Sequence, residues 1–283
     1  MIKTAQRKRD AIVWNLGADI RRRKNDFEWF AILLMLAAIS PSCSANSILV
    51  LIRDSNVWMA ADSKLTHASG KPRYGCTIGQ GKGFYWAAGS PAVDAPAFRL
   101  DAIIAKTAAA DGTLLQQMKA LLEKSRKPIT GQLEQLRATN RARFESLMGV
   151  ANHDLVKVIF VGMENHVPTV VWATVVAVEQ NGRVVVSVDS VQSVIPAEVQ
   201  NGVVGAGHTK EALRYLAEHH WETVTDPAPL LHQSLLAEAK ANPDAVGGPT
   251  TILTFGEAGA HWIDGGACRI QHPGGPETST TRR

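Results

Sequence analysis

Cysteine is scarce in this chain of 283 residues, which has only Cys43, Cys76 and Cys268. No CxxC and no Cys/His pair stands at metal-ligand spacing, so a zinc module is excluded and no metal or cofactor is expected. Excess charge is also missing from most of the chain. The formal net charge is +4, but residues 1–45 hold eight bases and four acids; 30−8 leaves 22 bases and 26−4 leaves 22 acids beyond Ala45. The basic balance therefore belongs to the amino-terminal segment, and no nucleic-acid partner is expected. No apolar run is long enough for a comfortable membrane span: the longest, Phe27–Ile39, has about ten strongly apolar residues against the roughly 20 that a span needs. A phosphate loop is missing too. The glycine-rich Gly79-Gln80-Gly81-Lys82-Gly83 has neither the strand-then-helix context nor the Lys-Ser/Thr that would bind phosphate, so it reads as a hairpin turn.

Residues 1–45 have a basic region with Arg21-Arg22-Arg23-Lys24, the short apolar stretch, and then Ser40-Pro41-Ser42-Cys43-Ser44-Ala45. This is the layout of a secretory signal, with cleavage best placed after Ala45. Cys43 brings a lipoprotein signal to mind, but Pro41 and Ser42 fit the positions before a lipidated cysteine poorly. The protein is expected to be exported, periplasmic or secreted, with membrane anchoring by an uncleaved leader as the alternative. In an oxidising compartment Cys76 and Cys268 could form a disulfide; two free buried thiols are the other reading.

The chain beyond the leader alternates strand and helix patterns. Ser47–Ser63, SILVLIRDSNVWMAADS, reads as a β-hairpin turning at Asp54-Ser55-Asn56. Short strands are expected at Cys76–Ile78 and Phe84–Ala88. From Ala92 to Met148 apolar residues recur at helical spacing, with Pro128 expected to break the run. Strands follow at Leu155–Met163, Thr169–Val178 and Arg183–Val188, the last two joined at Asn181-Gly182. A short strand, Gly202–Gly207, leads to helices at Thr209–His220, where Thr209 is the N-cap, and Pro227–Ala241. Strands at Thr250–Phe255 and His261–Ile263 complete a domain spanning 46–263. Residues 264–283, rich in Gly, Pro, Ser and Thr, read as a disordered tail. Two sheets enclosed by two helical layers would bury all the apolar faces.

Four features in this order resemble the proteasome β-subunit branch of the N-terminal nucleophile (Ntn) hydrolases. They are the opening hairpin with Ala60-Ala61-Asp62-Ser63, the strand ending in Ala88-Gly89-Ser90, Gly205-Ala206-Gly207 ahead of a helix, and Gly247-Gly248 ahead of the last hairpin. The resemblance spans about residues 46–263. It implies an α+β fold, a four-layer αββα sandwich. It also implies amide hydrolysis of a peptide or small amide by an N-terminal Thr, whose α-amine acts as base, and homo-oligomers. Gly89 would supply an oxyanion-hole N–H, and Asp62 with a nearby Lys would set the electrostatics.

The departures bear on activity. Counted back from Asp62, the Thr position falls on Asn46, with Ser47 after it as the nearest hydroxyl nucleophile. No Lys occupies Tyr74–Thr77; Lys71 and Arg73 are the nearest cations. Ala206 replaces a Ser, Val246 replaces another hydroxyl, and Asp244 stands one residue too near the glycine pair. Asp62 could equally serve only to receive backbone N–H bonds. His208, beside the glycine turn, could replace the lost hydroxyl, or be a surface histidine. The chain therefore reads as a catalytically degenerate relative, or alternatively as a hydrolase whose nucleophile is exposed by signal cleavage.

Overall fold

The computed structural model describes residues 47–65, 73–89, 112–149, 154–195, 201–265 and 268, all within the unit Ser42–Arg283. The leader, Asn46, Lys71, the helix pattern at 92–111 and the tail beyond Cys268 lie outside the described residues.

The first sheet has strand order β10-β1-β2-β11-β12. Its members are β1 (Ser47–Arg53), β2 (Asn56–Ala61), β10 (Asn201–Gly207), β11 (Thr251–Gly256) and β12 (Gly259–Asp264). The second runs β5-β6-β7-β8-β9, from β5 (Gly79–Gln80), β6 (Phe84–Gly89), β7 (Asp154–Glu164), β8 (Val167–Gln180) and β9 (Arg183–Val194). All their pairings are antiparallel. A two-stranded ribbon joins β3 (Lys64–Leu65) to β4 (Arg73–Tyr74). The helices are α1 (Leu114–Thr139), α2 (Arg141–Met148), α3 (Lys210–Glu218) and α4 (Pro227–Ala241). Among the described residues no helix is long and apolar enough to cross a membrane.

Three apolar clusters show what each strand face covers. Leu121, Ile129 and Leu133 of α1 and Phe144 of α2 pack on Phe84, Val158, Phe160 and Val171 of the second sheet. Leu49, Leu51 and Ile252 of the first sheet pack under Ala212 and Leu216 of α3 and Leu231 and Leu235 of α4. Between the sheets, Ile48, Val50, Ile52, Met59 and Phe255 meet Tyr85, Ala87, Ile159 and Val161. The alternation of Ile48, Val50 and Ile52 with Leu49 and Leu51 is the period-2 pattern of a strand buried on both faces; each such side chain is worth about 1.5–3 kcal/mol. Tyr85 meets Phe255 and Trp262 edge-on at 5.6 and 5.7 Å, and burial pushes its hydroxyl pKa up.

Turn chemistry fixes the hairpins. Asp54 and Ser55 both take positive φ, as do Asn181 and Gly182 and also Asn165 and His166, the two-residue geometry that suits strand twist. Glutamate does unexpected work at two places. Thr209 occupies the N-cap of α3 without a side-chain cap bond. Instead the N–H groups of Glu211 and Ala212 donate to Oε2 of the fully buried Glu238 on α4, at 2.8 and 3.0 Å. Along the open edge of β9, Val184 N–H donates to Glu134 Oε1 and Arg126 Nε donates to Val186 O. These α1 side chains blunt an edge that could otherwise pair with another strand.

Three expectations need correction. Pro128 does not break the helix: α1 runs unbroken from Leu114 to Thr139. Pro128 and Lys124, four residues back, are exposed, so solvent reaches the carbonyl that proline leaves without a donor. The chain stops instead at Asn140. Cys76–Ile78 is not a strand, because cross-links replace the ladder there: Thr77 Oγ1 donates to Asp62 O at 2.6 Å, and Cys76 is disulfide-bonded to Cys268. The short strand falls on Gly79–Gln80, pairing with Tyr85 and Trp86. The same disulfide answers the open thiol question and carries buried chain past 263, since Gly265 and Cys268 are both buried.

The bond closes a sequence separation of 192 residues. Replacing both cysteines by serine is expected to cost about 2–5 kcal/mol in denaturant unfolding. A loss below about 1 kcal/mol would show that the bond constrains little.

Candidate functional site

One end of the stacked sheets gathers β1's first residue, β2's exit, β6's last residue and β10's last residue. Ser47 is the register partner of Gly207. Past Ala61, the chain turns out of β2 with Asp62 N–H donating to Ser47 O at 3.2 Å.

Asp62 is buried, at 2% exposure, and a carboxylate there needs donors. Its Oδ1 accepts from Ser47 N–H at 2.9 Å and its Oδ2 from Gly247 N–H at 3.1 Å. Its own carbonyl accepts the Thr77 hydroxyl. One residue thus ties the start of β1, the exit of β2, the loop before β11 and the segment after β4.

Gly89 closes the other side. A Cβ there would lie 2.7 Å from Ala206 C and 2.8 Å from Gly207 N, so only glycine allows β6 to approach β10 this closely. The register partner of Gly89 on β7 is Lys157, whose Nζ donates to Gly205 O at 3.2 Å.

The structure therefore brings Asp62, Ser47 and Gly89 to one end of the fold, but not to one face. Positions 48, 50 and 52 of β1 point between the sheets, and 49 and 51 point toward α3 and α4. Ser47 falls on the helix-facing side. Its side chain is fully buried and its Oγ has no hydrogen-bond partner. Gly89 follows Tyr85 and Ala87 on the face between the sheets. Of the auxiliary candidates, Asn46 and Lys71 lie outside the described residues. Arg73 lies in β4. Asp244 is exposed on the turn after α4, where it is Gly247 N–H that reaches Asp62.

Sequence reading missed Lys157 and Thr77, and took Gly247 as a motif position without its bond to Asp62. Lys157 carried only a weak signal, the one cation of β7, set among apolar residues. The bonds of Gly247 and Thr77 involve backbone groups, which residue type does not reveal. Among the described residues no group of three His, Cys, Asp or Glu could hold a metal.

Two solved structures are similar to this chain. One is BPH of Thiobacillus denitrificans in complex with epoxomicin, 13% identical over 74% of this chain and 97% of that one, with a TM-score of 0.43. The other is Anbu of Hyphomicrobium sp. strain MC1, 12% identical over 77% of this chain and 87% of that one, with a TM-score of 0.43. No family model and no curated protein matches the sequence.

If Asp62 is a structural tie, Asp62→Asn should cost about 2 kcal/mol, because the amide turns a donor toward one of two buried N–H groups. Ser47→Ala should change stability by less than about 1 kcal/mol, since it removes a hydroxyl that bonds nothing. Urea unfolding of both variants measures this; equal losses would refute the assignment.

Proposed function

We propose that the chain is a proteasome-like protein of the Ntn-hydrolase fold, a four-layer αββα sandwich, that does not use Ser47 as a nucleophile and is catalytically degenerate. The layer assignment is supported by the three apolar clusters, one between the sheets and one under each helical layer. One observation carries the degeneracy: the Ser47 side chain falls on the helix-facing side of the first sheet, whereas Gly89 of the second sheet faces the space between the sheets, against Ala206 and Gly207. A substrate carbonyl attacked by Ser47 Oγ would form its oxyanion on the helix side of the first sheet, away from a donor at Gly89, whereas such donors must sit about 3 Å from it. The Asp62 carboxylate accepts the backbone N–H groups of Ser47 and Gly247. Export after cleavage of residues 1–45 remains part of the proposal. The buried Cys76–Cys268 disulfide supports it, since such bonds persist in oxidising compartments.

A second reading is favoured by the gathering of β1's start, Asp62, Gly89 and Gly207 at one end. There the mature amino terminus created by cleavage would hydrolyse peptides or small amides. Incubating the purified mature protein with epoxomicin and measuring intact mass separates the two. No adduct is expected; a stoichiometric adduct on the amino-terminal residue would overturn degeneracy.

A further inference from the structure

The cation that sequence reading sought at 74–77 enters the site end from the other sheet. Lys157 is half-buried, and its one hydrogen bond runs to Gly205 O at 3.2 Å. It forms no ion pair with any described residue. An ammonium has three donors, so two find no partner among the described residues, and its partly desolvated charge meets no counter-ion among them, which is costly. A second group near the same strand end is also unsatisfied: His208, next to Gly207, has a buried Nε2 with no partner. The two are linked through Gly89, the register partner of Lys157, whose Cβ position lies 2.8 Å from Gly207 N. The Asp62 carboxylate is engaged with Ser47 and Gly247.

We infer that the mouth between the end of β10 and the ends of β6 and β7 binds a singly charged carboxylate through Lys157 Nζ and His208 Nε2. Lys157 supplies one positive charge, and an N–H at His208 Nε2 would make both groups donors. A monoanion balances that charge; a phosphate dianion would leave one negative charge uncompensated. The carboxylate is that of a peptide C-terminus or of a free small acid. This goes beyond the degenerate reading, since it gives the fold a ligand without a reaction.

Titration of the full mature chain tests it, with NMR of the Lys157 Nζ and His208 ring signals and with calorimetry. The probes are acetate, N-acetyl-dialanine, its C-terminal amide and inorganic phosphate, at constant ionic strength. Both side-chain signals are expected to shift saturably with the carboxylates and not with the amide. Tighter binding of N-acetyl-dialanine than of acetate would assign a peptide terminus, and the reverse a small acid. Lys157→Met is expected to weaken binding at least about tenfold, with Lys157→Arg recovering most of it; His208→Gln, which keeps a donor, should bind more tightly than His208→Phe. Unmoved wild-type signals, equal binding of acid and amide, or tighter binding of phosphate would overturn the site, and the wild-type signals decide even if Lys157→Met fails to fold. A negative titration leaves the degenerate reading standing. An epoxomicin adduct overturns that reading without touching this one.

Discussion

A buried carboxylate, Asp62, holds the site end of this fold together. Its two oxygens accept N–H groups separated by most of the domain, Ser47 at the start of β1 and Gly247 ahead of β11. Charge-assisted bonds of this kind are about twice as strong as neutral ones, and the burial that strengthens them makes losing one expensive. With Thr77 donating to the Asp62 carbonyl and Cys76 fixed to Cys268 next door, four backbone segments share one anchor. The registers of β2 with β1 and β11 follow the same geometry, both running through Ala61.

Strand periodicity then divides that end in two. Because side chains alternate, β1 sends Ile48 between the sheets and Leu49 under the helices. Ser47 belongs to the helix side. Gly89 and Lys157 belong to the mouth between the sheets. A one-residue shift would exchange these faces, but the pairing of β1 with β2 and β10 runs without a bulge. A residue-by-residue comparison of motifs cannot see this division, since it counts matching letters and not the faces on which they fall.

Much of the fold was legible in the sequence. The turns at Asp54-Ser55 and Asn181-Gly182 announce themselves through residues that tolerate positive φ, and α4 spans the expected Pro227–Ala241. What failed had physical causes. Pro128 broke a local rule at a solvated position where the cost is small. Cys76–Ile78 had strand composition but spends its polar groups on a disulfide and on Asp62. The cap of α3 came from Glu238, distant in sequence, rather than from the local Thr209. Asp62, Ser47 and Gly89 stood out in the sequence as candidate positions, but their faces and the approach of Lys157 depend on how two sheets stack.

Amide hydrogen exchange at Ser47 and Gly247, compared between the wild type and Asp62→Ala, probes the anchor most directly. In the wild type both amides should exchange only with large-scale opening; in the variant both should become fast together while amides in β8 stay protected. Rapid exchange of either amide in the wild type, or unchanged protection in the variant, would contradict the role given to Asp62.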